Sequence, residues 1–131
     1  MENTVNETGG LRALALVSAA YDFALALPLL VAPVALARMM EAGEPQPVIN
    51  AQLNGLFTLT LALGYLWAAG DVGARRGYLW IAGVFCKGLG AVLFLADHLA
   101  GRSPALFLLF AATDGTLALV TLALLRRRRR R

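Results

Sequence analysis

Four apolar stretches of about twenty residues, joined by short polar turns, leave this chain little choice of fold. They cover residues 11–37, 48–69, 76–99 and 104–126. At a helical rise of ~1.5 Å per residue, each is long enough for the ~30 Å hydrocarbon core of a bilayer. Inside that core every backbone N–H and C=O must be satisfied within the protein, so each stretch is expected to be a helix. Hydrophobic residues make up 59% of the chain and charged ones 15%, and the mean hydropathy of +0.66 lies outside the range of soluble domains. Turns this short force neighbouring helices antiparallel. The expected fold is therefore all-α, an integral membrane four-helix up-down-up-down bundle forming a single transmembrane domain over residues 1–131. The four stretches use most of the 131 residues, so no soluble catalytic module is expected among them. The first stretch has an acidic flank and is longer than the apolar core of a signal peptide, so it is expected to be retained.

Charge placement gives an orientation. The net charge of +4 is no nucleic-acid signal, because six of the twelve basic residues are Arg126 and the five arginines after it. Directly after an apolar helix such a tail stops transfer and attracts anionic lipids, at ~1 kcal/mol per residue. The lipid bilayer and its anionic headgroups are thus the expected partners, and nucleic acid is not. Arg12, the pair Arg75 and Arg76, and the tail alternate with single arginines at Arg38 and Arg102. The positive-inside rule then puts both termini and the middle loop in the cytoplasm. Tyr65, Trp67, Tyr78 and Trp80 flank the middle loop as an aromatic belt would. Pro28 and Pro33 predict a bend in the first helix, since each ring removes a backbone hydrogen bond.

Three ionisable residues lie deep in these stretches: Asp22, Lys87 and Asp114. Counted from the cytoplasmic ends they sit about ten to twelve residues in, ~15–18 Å along the helices, and so share one layer. A charge at that depth costs at least ~2.5–3.5 kcal/mol unless paired or hydrated, and intramembrane charges are functional by default. Thr58 lies at the same level on a stripe with Asn50, Asn54, Leu61 and Tyr65, which is expected to face the interior. Gly83 and Gly90 bracket Lys87, and small residues let helices approach closely. Two carboxylates against one ammonium leave a formal charge of −1, so one carboxyl is expected to keep a proton. His98, on the Lys87 face near the outer end of its helix, reads either as an interfacial residue or as a proton entry point. Cys86, the single cysteine, reads as a small buried core residue. No spacing for a metal site or a nucleophilic triad is present. The candidate ligand- or proton-binding residues are therefore Asp22, Lys87, Asp114, Asn54, Thr58 and His98.

The proline-containing first helix (YDFALALPLLVAP, residues 21–33), the short basic middle loop (DVGARRGY, residues 71–78) and the four-segment layout resemble the DoxX-like group of small bacterial four-helix membrane proteins. That resemblance implies a bacterial cytoplasmic (inner) membrane and an association with redox or sulfur-metabolising systems. It carries over no catalytic residue and no cofactor. The expected function is a non-enzymatic accessory subunit, docked to a membrane complex or a homo-oligomer, or a binder of an apolar, quinone-like molecule beside the charged layer. The alternative is a proton-coupled transporter or channel subunit acting as an oligomer, with an intramembrane enzyme third. An apolar pocket at the layer would favour binding, and a continuous polar path would favour transport.

Overall fold

The computed structural model describes the backbone of residues 2–127 and the side chains of residues 8–127. All regular structure among them is helical: α1 (Glu2–Val31), α2 (Pro33–Met39), α3 (Val48–Gly70), α4 (Arg76–Tyr78), a π-helical stretch (Leu79–Cys86), α5 (Lys87–Leu99), a 3₁₀ turn (Ala105–Phe107) and α6 (Leu108–Arg127). Four spans are long and apolar enough to cross a membrane: Thr8–Val31, Val48–Gly70, Arg76–Leu99 and Ala105–Arg127. Large apolar side chains cover their outer surfaces, with Val31 80% and Ile81 68% exposed. Such a surface is unfavourable in water and favourable in lipid. Residues 128–131 of the arginine tail and the side chains of the acidic flank, residues 1–7, lie outside the described residues.

The first stretch differs from the expected single helix over 11–37. It begins at Glu2, runs through Pro28 and breaks at Ala32, whose φ of −144° and ψ of 51° are not helical. Pro33 then opens α2 from its first position, where a missing N–H costs nothing. Backbone groups at the break find other partners: Gln52 of α3 donates from Nε2 to the Leu30 carbonyl at 3.3 Å. The approach that allows this needs Gly55, because a Cβ there would lie 2.9 Å from Leu29 Cβ and 3.0 Å from the Leu30 nitrogen.

The spans meet most tightly at the end that carries the middle loop. Leu11, Ala15 and Ala19 of α1 pack with Tyr65, Ala68 and Ala69 of α3, with Leu79 and Ala82 of the π-helical stretch, and with Leu125 of α6. Mostly small residues at three- and four-residue spacing let these backbones come close. Tyr78 folds back over Gly64 and donates its hydroxyl to the Leu61 carbonyl at 2.7 Å. Arg75 and Arg76 donate to the Trp67 and Leu125 carbonyls at the ends of α3 and α6. These arginines therefore neutralise the negative ends of two helix dipoles in addition to any effect on topology. Tyr65, expected both in an interfacial belt and on the interior-facing stripe of its helix, follows the stripe: it is a fully buried core residue packed edge-on against Tyr78 at 5.3 Å.

Toward the opposite end the spans part. α1 stays packed on α3, and α5 packs on α6, but α5 makes little contact with α1 or α3. The third span also departs from a plain α-helix. Over Leu79–Cys86 it is π-helical, and the Lys87 N–H reaches back five residues to the Ala82 carbonyl. π-turns of this kind concentrate at functional positions.

Candidate functional site

The three ionisable residues of the predicted layer come together. Lys87 Nζ donates to Asp22 Oδ1 at 2.7 Å and to Asp114 Oδ1 at 3.3 Å. Their side chains are 5%, 3% and 16% exposed, so the lysine and Asp22 are sealed while Asp114 retains an open edge. Three elements contribute, and small residues bring them within reach. Asp22 continues the Ala15, Ser18 and Ala19 face of α1, all buried. Gly83 accepts Thr121 so closely that a Cβ would lie 2.9 Å from Thr121 Cγ2, and Gly115 lies against Ala91. With those contacts α6 stands near enough for Asp114 to meet a lysine one helix away.

Aromatic rings complete the lysine's surroundings. Nζ lies 4.9 Å from the centre of the Tyr21 ring and 5.6 Å from that of Tyr65. Each such contact is worth ~0.5–2 kcal/mol, the upper figure applying where water is excluded. Tyr21 is held by a 2.7 Å hydrogen bond between its hydroxyl and Thr113 Oγ1. Three buried side-chain polar atoms have no hydrogen-bond partner among the described residues, and two of them, Asp22 Oδ2 and the Tyr65 hydroxyl, belong to this site, the third being Ser103 Oγ. Buried polar atoms left unsatisfied cost ~1–3 kcal/mol each, and they mark places where structure alone does not dictate the chemistry.

A cavity of about 550 Å³ opens where the spans part, and the triad lies in its wall. From Asp22, Lys87 and Asp114 it extends past Leu25 and Leu29 to α2 and to the turn at Met40 and Pro45. Phe94, Phe107 and Phe110 form one wall, with ring centres 5.3–5.9 Å apart. The size suits a drug-sized ligand, and an apolar chamber with a few convergent polar groups is the usual form of a small-molecule site.

Of the other predicted residues, Asn54 and Thr58 line this cavity together with Leu61, as their stripe implied. Thr58 Oγ1 donates to the Asn54 carbonyl within its own helix, and among the described residues the hydrogen bonds of Lys87 join it to Asp22 and Asp114 and not to this stripe. Asn50, at the end of the stripe, is exposed and outside the lining. His98 is also outside it: its Nδ1 pairs with the Ser103 carbonyl at 3.1 Å, tying the end of α5 to the following turn. Cys86 corrects an expectation. It is exposed rather than buried, and it lines the cavity beside Lys87. The cavity, the π-helical stretch and the role of Tyr21 were not legible in the sequence. Tyr21 left one usable signal, an aromatic residue adjacent to an intramembrane aspartate.

These features define the class: a chain of four membrane-length helices with a buried lysine–aspartate triad beside an apolar cavity. No protein-family model, curated protein or solved structure matches it.

Proposed function

We propose that this chain is an integral membrane four-helix up-down-up-down bundle of the DoxX-like kind that binds an apolar small molecule, as a non-enzymatic accessory subunit of a membrane complex. Its place is the bacterial cytoplasmic membrane, with residues 1–131 forming one transmembrane domain and both termini in the cytoplasm. The arginine tail then meets anionic headgroups, and the cavity opens toward the outer leaflet. The observation that carries the reading is the cavity of about 550 Å³, mostly apolar, in contact with all three charged residues. A ligand with an apolar body and a polar head, such as a quinone-like molecule, fits both parts. Transport has less support, because the core on the cytoplasmic side of the triad is closely packed and largely apolar, with Ala19, Leu79 and Ala82 buried.

Purification from the native membrane, solvent extraction and mass spectrometry test the reading. The expected result is a near-stoichiometric apolar molecule, absent from a Thr58→Trp variant that fills the cavity and still folds. Extraction of bulk lipid alone, in equal amount from both proteins, would refute it.

A further inference from the structure

We infer that the cavity selects an organic cation: an apolar, preferably aromatic molecule whose charged nitrogen sits against the Asp114 carboxylate. This rests on the ligand-binding reading of the cavity and narrows the ligand's polar head to a cationic one in place of a neutral quinone-like head.

Four observations converge. First, the layer sets two carboxyls against one ammonium where water is scarce, so its balance needs one more positive charge, which the proton expected on one carboxyl supplies in the unliganded protein. A bound monovalent cation can take that proton's place, whereas an anion would add negative charge to the layer. Second, the positive member is already engaged. Lys87 donates to both aspartates, lies beside two tyrosine rings, and is 5% exposed, so it offers little to an incoming acceptor. Third, the charge that faces the cavity is negative. Asp114 is the most exposed of the three, and its Oδ2 accepts no hydrogen bond among the described residues. That oxygen lies beside Gly90, a lining residue, where a Cβ would stand 3.9 Å from it. On α1, Asp22 Oδ2 adds a buried, unpartnered carboxylate oxygen to the same layer.

The fourth observation is the wall. Phe94, Phe107 and Phe110 stand beside Asp114 in the lining, with Phe57 and Tyr21 also on the cavity. Aromatic faces carry negative potential and attract alkylammonium groups, most strongly where water is excluded. Lys87 is the sole basic side chain in the lining. The arginines at that end of the molecule are neutralised, Arg38 by Glu44 at 2.5 Å and Arg102 by Asp97 at 2.6 Å. A cationic head therefore meets favourable charge at the triad and along the chamber.

The test uses three shape-matched probes: 10-phenyldecyl trimethylammonium, its neutral tert-butyl isostere and 10-phenyldecyl sulfonate. Each is titrated into the full-length protein in phosphatidylglycerol nanodiscs, with binding to protein-free discs subtracted. The ammonium should bind about tenfold or more tighter than the tert-butyl isostere, as charge pairing in a water-poor site requires, and the sulfonate weakest. Asp114→Asn should erase most of that preference, bringing the affinity ratio of the ammonium to the neutral probe close to one. Thr58→Lys supplies an independent arm that does not depend on the triad's integrity: a positive charge across the cavity should reject the ammonium and admit the sulfonate. Equal or tighter binding of the neutral probe by the native protein overturns the cation inference and leaves the cavity reading standing. Failure of all three probes to bind overturns both. A preference that survives both variants refutes the assignment to this layer.

Discussion

Replacing Lys87 by methionine should be the most damaging single change in the membrane interior, and its damage should depend on which aspartate remains. Methionine keeps the length and apolar volume of the side chain but removes the charge, leaving Asp22 and Asp114 with no cation. Breaking a buried ion pair by removing one partner costs ~3–5 kcal/mol, because the other charge stays buried and unpaired. Loss of the contacts to the Tyr21 and Tyr65 rings lies within that figure. The two aspartates are not equivalent partners. Asp22 lies at 2.7 Å with a 3% exposed side chain, and Asp114 at 3.3 Å with 16% exposure. In double-mutant cycles the Lys87–Asp22 coupling should therefore be about 2–3 kcal/mol and the Lys87–Asp114 coupling about 1 kcal/mol, within the range for residues in direct contact. Lys87→Met combined with Asp22→Asn should be markedly more stable than Lys87→Met alone. Reversible unfolding in mixed micelles by titration with sodium dodecyl sulfate, followed through Trp67 and Trp80, gives all the required free energies. Additive losses for Lys87 and Asp22 would refute the reasoning, and so would a Lys87–Asp114 coupling larger than the Lys87–Asp22 one.

Three further outcomes are expected. Gly64→Ala should destabilise the protein by about 1–3 kcal/mol, as overpacking does, because its Cβ would collide with the Tyr78 hydroxyl; the same unfolding assay should show a smaller loss in a Tyr78→Ala background. Cys86, exposed to the cavity, should react with an apolar maleimide in the folded protein, and a saturating cavity ligand should slow that labelling several-fold, as mass spectrometry of the modified chain would show; a rate indifferent to ligand would separate Cys86 from the binding site. Reporter fusions at both termini and within the turn at residues 40–47 should place the ends in the cytoplasm and the turn outside, and a C-terminus found outside would reverse the proposed opening of the cavity.

The parts of this molecule that the sequence disclosed are those governed by one-dimensional rules. Span length and apolarity located four helices to within a few residues at most ends, and depth counting put Asp22, Lys87 and Asp114 into one layer before any packing was known. Packing between segments obeyed no such rule. The start of the first helix was missed because its polar opening residues carry no hydrophobic signal. Its break at Ala32 depends on how Pro33 and Gln52 meet across two helices. Tyr65 looked interfacial by its place near the loop and interior by its stripe, and the small residues around it decide for the interior by burying its ring. Cys86 looked like core because free cysteine usually is, but its side chain faces the gap left where α5 stands away from α1 and α3. That gap is a property of four helices together and had no trace in any one of them.

The π-helical stretch has a consequence for how this site can change over evolutionary time. A π-turn amounts to one residue more than an α-turn would hold, and each residue of an α-helix corresponds to ~100° of rotation. Deleting a single residue from Leu79–Cys86 would let the third span close into a plain α-helix. Everything on one side of the deletion would then turn by that angle relative to the other, swinging Lys87 off the Asp22 face or the Leu79 and Ala82 face off the core. Point substitutions can adjust this site by degrees, whereas the presence of the triad hangs on the count of residues in one turn, so insertions and deletions are the events that would create or abolish it in a single step.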